Sequence, residues 1–371
     1  MSIRIITFLC ILMALSGCAI KQEKADLIIH NAVIYTLNEN LDKAQALAIR
    51  DGRIVEVGAE RQIMNKYRAD RVIDARLKPV YPGFIDAHCH FLGYGKTLNE
   101  VNLTGTNSFE EVLERVNEFS RLHPEGWLIG RGWDQNDWDV QQFPTRIELD
   151  SLFPDRPVAL RRIDGHAMLC NSTALEIAGI TADTRINGGQ VLLADDLPSG
   201  VLIDNAMSFV NRVMPEDSND ALTRALIAAQ EKCFAVGLTT VDDAGLMQNE
   251  VELIDQLHND GLLKMRVYAM LSDDSINFSH YLKSGPYHTD HLNVRSFKFY
   301  ADGALGSRGA CLLEPYADMP GQQGFLLDSI SYFEFRARQL LNAGFQMNTH
   351  CIGDSANKAL LEVYANVLEG A

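Results

Sequence analysis

The feature that most constrains the fold is a pair of histidines, separated by one residue, at the end of a short apolar run that Pro82-Gly83 introduces. If this run is a β-strand, its side chains alternate between two faces, so Asp86, His88 and His90 point the same way. With a rise of roughly 3.3 Å per residue, the two imidazoles lie about 7 Å apart and can close on one metal ion. Imidazole is the commonest neutral ligand of zinc and its neighbours. Because such a pair also occurs by chance, the metal-site interpretation depends on the other motifs in the chain.

Several segments of the chain resemble one known family. Residues 82–90 resemble the Pro-Gly-φ-φ-Asp-X-His-X-His motif, where φ is apolar, with which the amidohydrolase superfamily opens the first strand of its barrel. Residues 26–36 and 46–58 resemble the small β-domain that precedes that barrel. Residues 164–175 and 298–308 resemble the subgroup that includes the N-substituted formamide deformylases. With these motifs in family order, the chain is identified as a member of this superfamily.

The resemblance implies an α/β fold, a (β/α)8 TIM-type barrel that follows the N-terminal part of a small β-sandwich domain. The β-domain part is assigned to residues 25–82 and the barrel to residues 83–371, with a large insertion at about 92–236 after the first strand. Five strand–helix units are predicted. Their strands lie at residues 83–90, 237–243, 264–270, 294–301 and 344–350, and the last helix runs from about Asp354 to Leu368.

A complete barrel has eight such units and typically about 250 residues of its own. Three strands are therefore expected beyond Ala371, and the sequence is interpreted as C-terminally truncated. The alternative is a naturally half-sized barrel, which would expose two sheet edges and an apolar interior. We expect the 371-residue chain, made alone, to be neither a stable monomer nor an active enzyme.

The first 18 residues are predicted to be a targeting signal. Arg4 supplies a positive charge, residues 5–15 form an apolar stretch too short to span a membrane comfortably, and residues 15–18 resemble a bacterial lipobox. This pattern predicts export and a lipid anchor at Cys18 that holds the protein to the cell envelope, facing the periplasm. An ordinary secretory signal is the alternative. The net charge of −16 argues against nucleic acid as a partner.

Lys298 lies in the predicted fourth strand, where alternation places it on one face with Val294 and Tyr300, directed into the barrel. A buried lysine is costly unless its charge is neutralised or paired. One solution in this superfamily is carboxylation, in which the deprotonated amine adds carbon dioxide and the carbamate bridges two metal ions. The alternative is a salt bridge from Lys298 to Asp302 or Asp243.

His350 ends the predicted fifth strand and is similar to the third metal histidine of the family. A histidine hydrogen-bonded at the barrel rim is the alternative. The resemblance thus implies that His88, His90, Lys298 and His350 bind one or two divalent ions, with zinc favoured. The family's catalytic aspartate lies on the eighth strand, so the catalytic residue is unknown here and expected beyond Ala371.

The insertion is expected to cover the metal site, because active sites of such barrels lie at the C-terminal ends of the strands. Within it, His166 is predicted to contact the substrate or to stabilise a developing oxyanion. Trp133 and Asp134 are predicted to form a wall of the same pocket, and local packing is the alternative for all three. Apolar spacing predicts a helix over residues 108–122, and residues 157–161 are predicted to be extended.

These interpretations predict a metal-dependent hydrolase of a carbon–nitrogen bond other than a peptide bond, acting on a small amide or N-formyl substrate through metal-activated water. The expected aspartate would act as the general base. Hydrolysis of esters or cyclic amides is one alternative, since the same attack serves them. A non-catalytic, surface-anchored binding protein is another. The sequence does not predict the oligomeric state.

Overall fold

A computed structural model gives the fold and describes residues 22–369. The chain divides into two compact units, Met1–Phe84 and Ile85–Ala371. The predicted signal segment at residues 1–18, with Cys18, lies outside the described residues. Among the helices of the described part, none is both long enough and apolar enough to cross a lipid bilayer.

The first unit is built mainly from β-strands. Its elements are β1 (Glu23–His30), β2 (Val33–Tyr35), β3 (Lys43–Ala44), β4 (Ala46–Arg50), β5 (Arg53–Gly58), α1 (Glu60–Lys66), β6 (Tyr67–Asp74) and β7 (Pro79–Val80). A four-stranded sheet has the order β5-β4-β1-β6, with β1 antiparallel to β4 and parallel to β6. A three-stranded sheet has the order β3-β2-β7. Ile63 of α1 packs with Ile28 and the small alanines of β1 and β4 in the core of this unit.

The second unit begins with the strand of the two histidines and continues through the insertion. Its first elements are β8 (Phe84–Cys89), α2 (Phe91–Thr97), β9 (Val101–Asn102), α3 (Phe109–Leu122), β10 (Leu128–Trp133), α4 (Ile147–Leu152), β11 (Val158–Arg162), β12 (Ala167–Cys170), α5 (Ser172–Ile177), β13 (Gly189–Ala194), β14 (Leu197–Asp204) and α6 (Ser208–Asn211). Strands β9 to β14 form a sheet of order β13-β14-β12-β11-β10-β9. The predicted helix over residues 108–122 is confirmed as α3. It begins after Ser108, whose side chain caps the helix by accepting a hydrogen bond from the Glu111 N–H. The predicted extended segment at residues 157–161 corresponds to β11.

The remaining elements alternate between helix and strand. They are α7 (Asn219–Ala235), β15 (Leu238–Leu246), α8 (Gln248–Asn259), β16 (Arg266–Ser272), α9 (Ser275–Ser284), β17 (Tyr287–His288), β18 (Leu292–Tyr300), α10 (Ile330–Asn342), β19 (Gln346–His350) and α11 (Asp354–Leu368). The main sheet has the order β8-β15-β16-β18, and both β17 and β19 pair with β18. Strands β15, β16, β18 and β19 are parallel, and β17 is antiparallel to β18. All five predicted strands are present at their predicted places. Within the described residues the sheet is open, so the closed eight-stranded barrel remains an expectation.

One face of this sheet is buried beneath its helices. Phe297 and Phe299 of β18 are completely buried, and Phe278 of α9 stacks on Phe297 with ring centroids 4.7 Å apart. Simple alternation predicts Val294 on the opposite face from these phenylalanines. Instead, a register shift against β16 leaves Arg295 as an extra residue, so Val294 packs in the same core as the phenylalanines. Beyond this bulge, Lys298 alternates with Phe297 and Phe299 and faces away from the helices.

Candidate active site

The two histidines stand at the C-terminal end of β8, where the chain turns into α2. The ring centroids of His88 and His90 are 6.0 Å apart and their planes are nearly perpendicular, at 79°. His90 Nδ1 lies 2.8 Å from the carbonyl oxygen of Ala244 in the neighbouring strand β15. The buried carboxylate of Asp243 accepts hydrogen bonds from the first two backbone N–H groups of α2. These bonds across the sheet fix the turn that presents both rings.

The surroundings of both imidazoles favour the neutral form, which is the form that binds metals. Their side chains are exposed by surface area, yet neighbouring protein atoms displace enough water to lower the pKa of His88 and of His90. The positive charge of Lys298 lowers both pKa values further. Because Nδ1 of His90 donates to a carbonyl, its Nε2 keeps a free lone pair, which is the usual arrangement in a metal-binding histidine.

Lys298 reaches the same place from β18. Its Nζ lies 3.3 Å from His88 Nε2, its residue is 3% exposed, and burial lowers its pKa. No ion pair joins Lys298 to Asp302 or Asp243 in the described structure. Asp302 instead accepts hydrogen bonds from three backbone N–H groups, and Asp243 caps α2. The salt bridge that was the alternative for Lys298 is therefore not observed.

His350 ends β19 beside Tyr300 of β18, its register partner. Its Nε2 lies 3.1 Å from the carbonyl oxygen of Gly303, and burial lowers its pKa. The ring is stacked on that of His166, with centroids 4.8 Å apart. His350 therefore stands beside the histidine of the insertion, with Nδ1 as the ring nitrogen left free to bind a ligand.

One cavity of about 610 Å³ collects most of the predicted site residues. Its lining includes, among others, His88, His90, His166, Lys298, Tyr300 and His350. The structure thus brings the four predicted metal ligands and His166 to one space. Trp133 and Asp134 are not among the described residues that line it.

The residues in this cavity fit a divalent ion on one condition. Within the described residues, no three His, Cys, Asp or Glu side chains are grouped as a ready-made metal site. His88 and His90 supply two neutral nitrogen ligands, and the buried amine of Lys298 lies beside them. A carbamate on Lys298 would add the anionic oxygen ligand that this histidine pair lacks.

His166 is held by a carboxylate that the sequence did not indicate. Its Nδ1 lies 2.6 Å from Asp204 Oδ1, and the Asp204 N–H donates to the His166 carbonyl. The other oxygen, Oδ2, is buried without a hydrogen-bond partner in the described structure, and burial raises the Asp204 pKa. Asp204 adopts a φ of 48°, and a Cβ on Gly303 would come within 2.5 Å of its Oδ2. The positive φ of Asp204 and the lack of a side chain on Gly303 thus allow this carboxylate to lie against His166.

Trp133 and Asp134 brace the insertion instead of forming a pocket wall, which corrects the expectation. Trp133 is 1% exposed, and its indole N–H donates to the carbonyl of Leu160 at 2.8 Å. Asp134 is ion-paired with the buried Arg162. The reason is a register shift in β10 at Gly132, which has a φ of 117° and turns the next residue into the core.

Similarity to known proteins shows the family to which this chain belongs. Residues 71–371 match the amidohydrolase family. The protein YtcJ of Bacillus subtilis (strain 168) is 32% identical over 344 residues, or 90% of this chain and 64% of YtcJ. The N-substituted formamide deformylase of Arthrobacter pascens is 32% identical over 238 residues, or 62% of this chain and 44% of that enzyme. An uncharacterized metal-dependent hydrolase from Pyrococcus horikoshii OT3 has the same fold, with a TM-score of 0.70 at 24% identity, over 92% of this chain and 68% of that one.

The chain therefore belongs to the amidohydrolase family and has its mixed α/β fold. It spans less than two thirds of the length of both curated relatives, 64% of YtcJ and 44% of the deformylase.

Proposed function

We propose that the protein is a metal-dependent hydrolase of carbon–nitrogen bonds other than peptide bonds, acting on an amide or N-formyl substrate. The observation that carries the proposal is the approach of Lys298 Nζ to His88 Nε2, beside His90, in one cavity. Membership of the amidohydrolase family and similarity to an N-substituted formamide deformylase support the substrate class.

In this proposal the chain holds one or two divalent ions, zinc being the ion proposed. His88, His90 and His350 each offer a neutral ring nitrogen. The deprotonated Nζ of Lys298 attacks the carbon of carbon dioxide, an N–C bond forms, and the proton leaves to solvent while the new carboxylate keeps the negative charge. Burial favours this reaction because it lowers the Lys298 pKa and makes the neutral amine more available. When bound, such an ion would lower the pKa of the water it binds and would polarise the substrate carbonyl.

His166 is proposed to contact the reacting oxygen of the substrate. Because Nδ1 is held by Asp204, Nε2 is the ring nitrogen that can face the substrate and hydrogen-bond to the oxygen on which negative charge develops. Asp204 is then a positioning residue that acts through His166.

Changing Asp204 to asparagine is expected to lower kcat about 10- to 100-fold, because an amide bonds Nδ1 more weakly than the acid does and orients the His166 ring less firmly. Asparagine tolerates the positive φ of this position, so the backbone is preserved. Steady-state kinetics and elemental analysis check this: KM and metal content should remain those of the wild type. An unchanged kcat, or lost metal with the same drop, would contradict the role given to Asp204.

The proposed function is tested by a substrate panel on the metal-loaded full-length protein. Matched N-formyl amines, the corresponding formate esters and cyclic amides are compared before and after removal of metal by a chelator. We expect metal-dependent release of amine from the N-formyl compounds. Turnover of the esters or cyclic amides alone would favour the alternative hydrolases, and metal binding without any turnover would favour a non-catalytic binding protein.

The N-terminal segment carries a proposal of its own, lipidation at Cys18 and attachment to the cell envelope. The supporting pattern is the lipobox-like sequence at residues 15–18 after an apolar stretch. Expressed in a bacterium, the wild-type chain is expected to incorporate labelled palmitate and to sediment with membranes, while Cys18→Ser does neither. The neighbouring signal-segment change Cys10→Ser is the control. Equal labelling of wild type and Cys18→Ser would exclude this anchor.

A further inference from the structure

Two arginines of the insertion stand side by side in the wall of the active-site cavity. Arg131 of β10 and Arg161 of β11 are register partners in parallel neighbouring strands, so their side chains leave the same face of the sheet. Both line the 610 Å³ cavity that also contains His90 and Lys298. Adjacent strands are about 4.8 Å apart, so the two arginine side chains leave the backbone close to each other.

These two guanidinium groups are paired only with neutral groups. Arg131 Nη2 donates to the carbonyl of Ile163 at 3.1 Å, and Arg161 Nη2 donates to Asn211 Oδ1 at 2.7 Å. Neither forms an ion pair with a carboxylate in the described part of the chain. Arg162, the next residue, shows the contrast, because it is ion-paired with two carboxylates. Guanidinium groups are always charged, so two like charges here repel each other without a counter-ion.

None of the described carboxylates nearby forms an ion pair with these two arginines. Glu100 lines an adjoining cavity of about 590 Å³ together with Arg131, and burial raises its pKa while the charges of Arg161 and Arg131 lower it. Asp164 is committed to Arg162, and Asp204 to His166. The other carboxylates lining the active-site cavity are bound elsewhere: Asp273 accepts from Tyr332, and Asp328 from the Ser329 N–H.

The Asp164-Gly165-His166 segment makes room for one of these arginines. Gly165 has a φ of 78°, and a Cβ there would lie 3.1 Å from Arg131 Nη2. A side chain at this position would therefore be strained and would crowd the guanidinium group. The segment that presents His166 also leaves Arg131 free beside the cavity.

We infer that Arg131 and Arg161 bind a carboxylate carried by the substrate, so that the preferred substrates are amides with an anionic group. The inference rests on the proposed function. The planar fork of a guanidinium group matches a carboxylate in two parallel hydrogen bonds. These arginines then determine specificity while the histidines and Lys298 serve the reaction.

The test uses two amides that differ only in the carboxylate, N-formylphenylalanine and N-formylphenethylamine, on the metal-loaded full-length protein. We expect kcat/KM to favour the carboxylate substrate by about tenfold or more, mainly through KM, which is what one charge-assisted hydrogen-bonded contact provides. Arg131→Gln and Arg161→Gln should each reduce that preference by about tenfold. Arg131→Lys should restore part of it. Arg212→Gln, at an exposed arginine of the same insertion, is the matched control and should keep the wild-type preference.

A binding measurement separates this inference from the proposed function. Calorimetry compares 3-phenylpropanoate with 3-phenylpropanol on the same variants, without any hydrolysis. If both amides are hydrolysed equally, the carboxylate site is wrong and the proposed function stands. If neither is hydrolysed, the proposed function fails, and the inference is kept only if phenylpropanoate binds more tightly than the alcohol and both Arg→Gln variants remove the difference. Equal binding of acid and alcohol overturns it.

Discussion

Replacing both His88 and His90 with alanine is expected to strip the metal from the protein and to lower kcat/KM about a thousandfold, since several kcal/mol of transition-state stabilisation go with the ion. The physical reason is that these two rings supply the neutral nitrogen ligands beside Lys298. Each single change should remove most of the metal. Elemental analysis after dialysis against a defined zinc buffer, together with kinetics on an N-formyl amine, measures both effects.

The same double variant should keep its fold. Both side chains are exposed, and substitutions at exposed positions usually change the free energy of unfolding by less than about 0.5 kcal/mol. Exposed His280 of α9 offers the matched control, and His280→Ala should keep the wild-type metal content. Unchanged metal in the folded double variant would show that the ion, if any, is bound elsewhere.

The second large effect is expected at Lys298. Lys298→Ala should lose most bound metal, because the anionic ligand that complements the two histidines is gone. A small carboxylate such as propionate should restore part of the metal content and activity by occupying the space left by the carbamate. Lys298→Glu, which places a carboxylate on a shorter side chain, should retain more metal than Lys298→Gln, its neutral isostere.

If Lys298 is carboxylated, metal binding should depend on carbon dioxide. Reconstitution of the wild-type protein with zinc should be faster and more complete with bicarbonate than in buffer freed of carbon dioxide. Carbon-13-labelled bicarbonate should give a carbamate signal that Lys298→Ala lacks. Complete zinc loading without carbon dioxide, with no carbamate signal, would rule out carboxylation and leave the cavity with a histidine-only site.

The strands of the main sheet lie where the sequence predicted them, because short extended segments alternate with helical patterns along this part of the chain. Since parallel strands present their C-terminal ends at one edge, His88, His90, Lys298 and His350 could be expected together, and one cavity contains them. The placement of Trp133 could not be predicted. The bulge at Gly132 is a shift in the pairing of β10 with β11, and it changes the face on which Trp133 lies. The sequence alone does not show which strand pairs with β10.

Asp204 and the arginine pair were missed for a related reason. Asp204 reaches His166 across 38 residues through the pairing of β12 with β14, and no local motif marks that contact. Arg131 and Arg161 become neighbours only through the register of β10 and β11. The useful signal was present but weak: a charged residue within an apolar strand in each case, which burial makes costly without a role.

Anomalous diffraction at the zinc edge, from zinc-loaded crystals grown in bicarbonate, tests whether His88, His90 and a carboxylated Lys298 hold a metal ion. We expect an anomalous peak about 2.0–2.2 Å from a ring nitrogen of His88, from a ring nitrogen of His90 and from a carbamate oxygen on Lys298. A peak bound at other residues, or a free ammonium group on Lys298 beside a fully occupied zinc ion, would contradict it.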